Sequence, residues 1–319
     1  MKNQGFSLKL NDEIELSIFA KDKKSKEIID FFADATQLKP DDQKTTQSKK
    51  RIFVFSNENE LLSSKKDNAS IINIDSNDSY LKLEPETIYR FPPREPDIDS
   101  SDHPDPGKMT RDEWRWRQLT RLSSVVGGYT LLNGGFLVHS GLAGFNFKDS
   151  NKGVILSGAS GSGKTSASRL FKPPWFSLSD DLTIITKNSD DSYSAHPLPT
   201  WSSFFGKKLS VSIKKWNIEK SIPISTIVFF DRGDSNKIKR TGPARSLCLL
   251  TELAKQANEF LINGLDKKTI LNFNKKMFLN IYEFIKSIPG YTLNLDLNKK
   301  FWKEMETIPE INPDFSVKK

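Results

Sequence analysis

The stretch Gly158-Ala159-Ser160-Gly161-Ser162-Gly163-Lys164-Thr165 follows the apolar run Val154-Ile155-Leu156 and constrains the chain more than any other. It reads G-x-x-x-x-G-K-T, and between a strand and a helix an octapeptide of this type cradles the phosphates of a nucleotide. Glycines let backbone N–H groups converge on phosphate oxygens, and the helix that follows adds the partial positive charge of its N-terminus. Lys164 is spaced to reach the β- and γ-phosphates, and Thr165 to offer its hydroxyl to Mg²⁺. With Ser166 these eight residues form the predicted nucleotide-binding segment of an α/β domain.

Composition narrows the classes around that loop. At 319 residues the chain is long enough for a full core and for two domains. A mean hydropathy of -0.52 with 22 Phe and 6 Trp describes a polar but well-filled globular protein. Met1-Lys2-Asn3-Gln4-Gly5-Phe6 has no secretory apolar run, and no segment approaches the roughly 18 apolar residues of a membrane span. The expectation is a cytoplasmic protein without a membrane partner. Cys248, the single cysteine, excludes an internal disulfide and a cysteine-based metal cage. Its neighbours Leu247, Leu249 and Leu250 predict a buried helical thiol. The net charge of +8 is spread among 40 acidic residues. A solvated basic surface that steers anionic ligands is therefore expected, and no nucleic-acid partner.

Residues 1–91 read as a small α/β or α+β module. Phe6, Leu8 and Leu10, then Ile14, Leu16 and Ile18, alternate around Asn11-Asp12-Glu13 as a hairpin. Ile28, Ile29, Phe32 and Ala33 repeat at helical spacing behind Ser25, a candidate N-cap. Residues 51–55 and 70–74 are further strands. Residues 92–107 carry Pro92, Pro93, Pro96, Pro104 and Pro106 with several aspartates and read as a linker, with His103 as a solvated loop residue.

Residues 108–319 follow as one domain. Thr110-Arg111-Asp112-Glu113 is a capping box that opens a helix along Trp116, Leu119, Leu122 and Val126, with its end predicted at Gly127-Gly128. Residues 129–132 and 136–139, joined by Asn133-Gly134-Gly135, are predicted as a hairpin. Pro173-Pro174 cut short the helix after the loop. Residues 175–186 then bring Asp180-Asp181 into an apolar strand that returns to the sheet beside the loop strand. Tyr193 and Ala195 suggest its partner, and residues 226–231 a buried strand. Leu247, Leu250, Ala254, Ala257 and Leu261 predict one long helix closed by Gly264. Met277, Ile281, Phe284 and Ile288 predict a second, stopped by Pro289. Leu293, Leu295 and Leu297 alternate as a last strand before a short helix at Phe301-Trp302.

Phosphate binding becomes catalysis only with a carboxylate for Mg²⁺ and, in a kinase, a base beside the acceptor hydroxyl. Asp231, after four apolar residues, competes for these roles with Asp180 and Asp181. Neighbouring residues in a regular strand point to opposite faces, so the pair serves one site only at the strand's entrance. There, like-charge repulsion and Mg²⁺ would separate the two carboxylates into a metal supporter and a proton acceptor. An ordinary Asp-Asp turn fits the spacing equally well. His196 reads as a wall of the acceptor site or as part of a Pro-braced loop whose Trp201 packs on the core. Arg240 and Arg245 read as donors of a transition-state cation or as exposed arginines.

His139, the glycine-rich loop and Ser179-Asp180-Asp181-Leu182 together resemble the catalytic domain of the HPr kinase/phosphorylase family. The P-loop fold of that family is similar to the nucleotide domain of PEP carboxykinase. More closely, Met109-Thr110-Arg111-Asp112-Glu113-Trp114-Arg115-Trp116-Arg117-Gln118 and Ser194-Ala195-His196-Pro197-Leu198-Pro199-Thr200-Trp201 resemble the SynChlorMet cassette protein ScmC family, a branch related to HPr kinase and associated with peptide-modification gene cassettes. The resemblance covers about residues 109–260. It implies that one of Asp180 and Asp181 acts as base on a serine hydroxyl while the other supports Mg²⁺, and that His139 sits near the transferred phosphate. Thr165-Ser166 stand where HPr kinases have serine and glutamate, so the resemblance does not carry HPr itself as the acceptor.

The expectation is an HPr-kinase-like, PEP-carboxykinase-like P-loop domain behind a small N-terminal module. It would transfer the γ-phosphoryl group of ATP, with Mg²⁺, to a hydroxyl of a peptide or protein in a peptide-modification pathway. Asp180, Asp181, His139 and Lys164 are its expected catalytic residues, with Thr165 and Asp180 on the metal, and a homo-oligomer is compatible with it. The alternative is a nucleotide-gated, catalytically inactive module that presents a peptide to partner enzymes.

Overall fold

The computed structural model describes residues 5–20, 23–40, 50–55, 69–73, 79–82, 88–90, 98–99, 109–148, 150–159, 161–201, 216–262 and 267–316. In chain order the first elements are β1 (Gly5–Lys9), β2 (Glu15–Ala20), α1 (Lys23–Thr36), β3 (Lys39–Pro40), β4 (Lys50–Phe55), β5 (Ala69–Asn73) and β6 (Ser79–Lys82). Next come β7 (Ile88–Arg90), β8 (Ile98–Asp99), β9 (Met109–Thr110), α2 (Arg111–Leu132), β10 (Phe136–His139), β11 (Gly141–Phe147) and β12 (Ser150–Ser157). They are followed by α3 (Lys164–Leu170), β13 (Trp175–Ser179), β14 (Leu182–Lys187), β15 (Tyr193–Leu198), β16 (Ile222–Arg232) and β17 (Lys237–Thr241). The chain closes with α4 (Pro243–Ala257), α5 (Glu259–Ile262), α6 (Lys267–Ser287), β18 (Gly290–Leu295), α7 (Trp302–Met305) and α8 (Pro313–Ser316). The predicted α/β class stands. Among the described residues no helix is long and apolar enough to cross a membrane.

The chain divides into two compact units, of which the first comprises Met1–Leu132, Thr200–Glu219 and Glu259–Asn272. Its sheet runs β3-β1-β2-β4-β5-β6-β7. The predicted hairpin forms, with Leu8 opposite Leu16. Its turn is held by Asn11, whose Oδ1 accepts from the N–H groups of Glu13 at 3.0 Å and Ile14 at 2.8 Å. Ser25 lies inside α1 and is fully buried, so it is a core residue and not the N-cap. Trp201 packs at 5.4 Å on Phe32 and donates Nε1–H to Ser123 Oγ at 2.8 Å, which makes it a core residue of this unit. Most of the linker at 92–107, His103 included, lies outside the described residues; Ile98–Asp99 pair in parallel with Met109–Thr110.

The capping box forms as read, with Glu113 accepting from the Thr110 N–H at 2.8 Å and Thr110 Oγ1 from the Glu113 N–H at 3.1 Å. The helix it opens does not stop at Gly127-Gly128. It runs on to Leu132, so residues 129–132 are helical and the predicted hairpin does not form. Glycine inside a helix costs about 1 kcal/mol. Burial of Val125, Val126, Tyr129 and Leu131 offsets that, and the chain turns only at Gly134, where φ is +80°.

The second unit comprises Asn133–Pro199, Lys220–Asn258 and Phe273–Lys319. Its sheet runs β10-β14-β15-β16-β12-β11-β13, with β18 added on β16 and β17 on β18. Pairing of β12 with β16 and of β16 with β18 is parallel, so these three strands end on one side. A crevice at the carboxyl ends of parallel strands is where α/β sheets place their ligands. The strand with Trp175 does not return beside the loop strand β12, because β11 lies between them. The helix predicted to reach Gly264 ends at Ala257, where the Asn258 side-chain amide donates to the Ala254 carbonyl at 2.7 Å; Gly264 lies outside the described residues. Cys248 is exposed, not buried, because the core face of α4 carries Ser246, Leu250, Leu253, Ala254 and Ala257 instead.

Met277, Ile281 and Phe284 on α6 are fully buried, as their spacing predicts. Phe284 meets Phe136 and Tyr193 edge-on at centroid distances of 5.3 and 4.9 Å. Phe284→Ala is expected to lower unfolding free energy in urea by about 3–5 kcal/mol, the range for a large aromatic removed from a packed core. Thr110→Ala, which removes only a cap, is expected to cost about 1 kcal/mol in the same measurement.

Candidate functional site

Three chain segments meet at the carboxyl ends of the parallel strands: the Gly158–Lys164 loop after β12, Asp231 and Arg232 at the end of β16, and Leu295 to Asn298 after β18. The loop is tied to its surroundings by its own backbone. Ala159 C=O accepts from the Ser162 N–H at 3.0 Å, closing a turn. Arg232 then reaches back across 71 residues and donates from Nε and Nη2 to the Gly161 carbonyl at 2.9 and 2.6 Å. A Cβ at Gly158 would stand 2.6 Å from Ser162 Oγ and 2.8 Å from the Phe230 carbonyl, so the loop approaches β16 as closely as only glycine permits. Gly163 holds φ at +100° where the chain enters α3. Ser160 lies outside the described residues.

Lys164 is buried and donates Nζ–H to the carbonyls of Gly158 at 2.7 Å and Ala159 at 3.3 Å. Burial pulls its pKa below the ordinary lysine value, and the Asp181 carboxylate opposes that shift. Ser162 Oγ is buried with no hydrogen-bond partner among the described residues, an unspent donor and acceptor beneath the loop.

Asp180 and Asp181 occupy a break between two strands. Residues 136–147 and 175–187 pair antiparallel on both sides of it, β10 with β14 and β11 with β13. Across the break, Thr183 Oγ1 donates to the Ser140 carbonyl at 3.0 Å and lies 3.3 Å from Ser179 Oγ. Strand alternation is interrupted there, so both carboxylates line one cavity. His139 comes from the facing side of the same break. Its Nε2 is 3.2 Å from Asp181 Oδ1, and its Nδ1 is 3.4 Å from Gln256 Oε1 on α4.

One cavity of about 760 Å³ collects His139, Asp180, Asp181, Gly161 to Ser166, Arg232, Gly233 and Leu295 to Asn298. A second, of about 570 Å³, lies on the other flank of the loop. Gly158, Ala159, Gly161 and Ser162 line it together with Asp231, Arg232 and the α4 residues Arg245, Leu249, Glu252, Leu253 and Gln256. The two carboxylate candidates thus separate: the Asp pair faces Lys164, while Asp231 is exposed in the second cavity with Arg245 at 3.9 Å. Arg240 on β17 is exposed and lines neither cavity. His196 lines neither; it is fully buried in β15, with Nε2 at 3.3 Å from Thr186 Oγ1.

Among the polar lining residues, Arg232, Glu252, Gln256, Thr292, Asp296 and Asn298 were not candidates from the sequence. Only Arg232 carried a signal, as a cation directly after Asp231 at the end of a buried run. Among the described residues no group of three His, Cys, Asp or Glu side chains is arranged to hold a metal ion. A hard divalent cation held here by Asp180 and Thr165 would complete its shell with ligand and water oxygens, the usual manner of Mg²⁺.

A family model described as SynChlorMet cassette protein ScmC matches residues 107–310, more than half of the chain. Every residue that lines the two cavities falls inside the matched span. No curated protein matches the sequence significantly. Gly158→Ala is expected to displace the loop, since the Phe230 carbonyl is backbone and cannot swing aside. A loss of about 1–3 kcal/mol, read as a fall of several degrees in Tm, checks this.

Proposed function

The chain belongs to the SynChlorMet cassette protein ScmC family, and from that premise we propose that it is an ATP-dependent kinase that phosphorylates a hydroxyl, a serine foremost, of a peptide or protein. The reading includes a P-loop domain of the HPr kinase and PEP carboxykinase kind, and a place in a peptide-modification pathway. The observation that carries it is the joint lining of one cavity by Lys164, Thr165, Asp180, Asp181 and His139. Binding groups for an anion and a divalent cation stand there directly beside a proton acceptor.

The residues present fit the nucleotide and its metal. Lys164 holds an ammonium against backbone carbonyls that a phosphate oxygen would replace as partner, and the buried Ser162 hydroxyl has no hydrogen-bond partner among the described residues. When bound, Mg·ATP supplies the transferable phosphoryl group and the cation that screens its charge. Thr165 and Asp180 would hold that cation, and Lys164 would stabilise charge on the phosphates. Asp181 Oδ takes the acceptor's hydroxyl proton as its oxygen bonds to phosphorus and the nucleoside diphosphate leaves. His139, 3.2 Å from Asp181, orients that carboxylate toward the reacting oxygen.

Lys164→Ala is expected to lower phosphoryl transfer about a hundredfold or more, the scale of one main electrostatic stabiliser. Turnover at the wild-type rate in that variant would sink the reading. Asp181→Asn and Asp231→Asn separate the carboxylates, because the first is expected to abolish transfer and the second to leave chemistry intact. Mass spectrometry of peptides incubated with Mg·ATP decides between kinase and nucleotide-gated module, through the gain of one phosphoryl group or its absence. pH adds an independent readout. Anion binding needs Lys164 protonated, and its lowered pKa makes ADP affinity fall earlier on the alkaline side than an ordinary lysine would allow. Asp181→Asn removes the partner that raises this pKa, so the alkaline fall in ADP affinity is expected to move to lower pH.

A further inference from the structure

One face of α4 supplies one wall of the second cavity. Arg245, Leu249, Glu252, Leu253 and Gln256 follow one another at spacings of four, three, one and three, so a single helical stripe presents a cation, two aliphatic side chains, a carboxylate and an amide to the same space. This stripe borders the core face, with which it shares the buried Leu253. The cavity is continuous in its lining with the catalytic one, because Gly161, Ser162 and Arg232 border both. Gln256 also touches His139 at 3.4 Å, and His139 in turn touches Asp181. A hydroxyl entering from this side therefore arrives beside the proposed base.

Charge identifies the occupant. Arg232 is committed to the Gly161 carbonyl through two donors, and Arg245 stands 3.9 Å from Asp231. Glu252 is exposed and, of the charged groups that line the cavity, it is the one with no ion pair or hydrogen bond among the described residues, so its carboxylate is open to a ligand. A free carboxylate repels a polyphosphate and attracts a cation, while Leu249 and Leu253 offer contact to an aliphatic side chain. Resting on the kinase reading, we propose that this cavity holds the acceptor peptide and selects a segment with a basic and an aliphatic side chain near its hydroxyl.

The test uses two fluorescein-labelled octapeptides that contain one serine flanked by leucine, identical except that one carries arginine where the other carries glutamate. Binding to the full chain is read by fluorescence anisotropy. The arginine peptide is expected to bind about tenfold more tightly, and Glu252→Lys to reverse that order while ADP affinity stays as in the wild type. Glu252 is exposed, and an unchanged melting curve verifies that the variant folds. Equal binding of the two peptides, or an order that Glu252→Lys leaves intact, overturns the proposal. A tenfold change in ADP affinity in place of the peptide effect overturns it too, by assigning the cavity to the nucleotide. Charge-dependent binding without phosphoryl gain supports the cavity assignment and removes the kinase reading, whereas phosphoryl gain without charge preference does the reverse.

Discussion

Parallel pairing of β12, β16 and β18 is the constraint on which the candidate site depends. Antiparallel neighbours would alternate starts and ends along an edge, but three parallel strands deliver three chain exits to one line. The glycine-rich loop, the Asp231-Arg232 pair and the 295–298 turn are those exits. Arg232 fastens the first to the second with two charge-assisted hydrogen bonds, stronger than neutral ones. The loop's backbone is thereby held by a strand that ends beside it, and Lys164 can be buried because the carbonyls of Gly158 and Ala159 accept its hydrogen bonds. An ammonium buried without such partners would be too costly to keep charged.

The second constraint is the break shared by two antiparallel strand pairs. A continuous strand through residues 175–187 would send neighbouring side chains to opposite faces. At Asp180-Asp181 the pairing passes from β11 to β10, and the hydroxyls of Ser179 and Thr183 with the Ser140 carbonyl take up the interrupted ladder. Two carboxylates and an imidazole converge because the strand stops being regular at the residues that need to converge. The Asp181 carboxylate held beside Lys164 also acts on it, raising its pKa where burial lowers it.

Much of this was legible from local chemistry. The loop, the capping box, the Asn11 hairpin and the buried face of α6 are each marked by residue types and spacing within a short segment, and each formed where the spacing placed it. Failures came where tertiary burial outweighed local propensity. Gly127-Gly128 look like a helix end, but the apolar residues on either side carry the helix through them. Leu247 to Leu250 look like a buried run around Cys248, yet the helix turns that thiol outward. His196 sits in a Pro-flanked segment that suggests a loop, whereas it is a strand residue paired with Ile184 and sealed in the sheet. For Arg232 the sequence shows a cation after a buried run but not its role, because its acceptor is 71 residues away.

The outward turn of Cys248 has a practical side. It is the chain's single cysteine, it is exposed, and it lies on α4, the helix whose neighbouring face lines the second cavity. A maleimide dye or spin label therefore attaches at one known position without mutagenesis. The native protein carries its own spectroscopic address within a turn of Leu249 and Glu252, from which occupation of that helix face can be followed in real time.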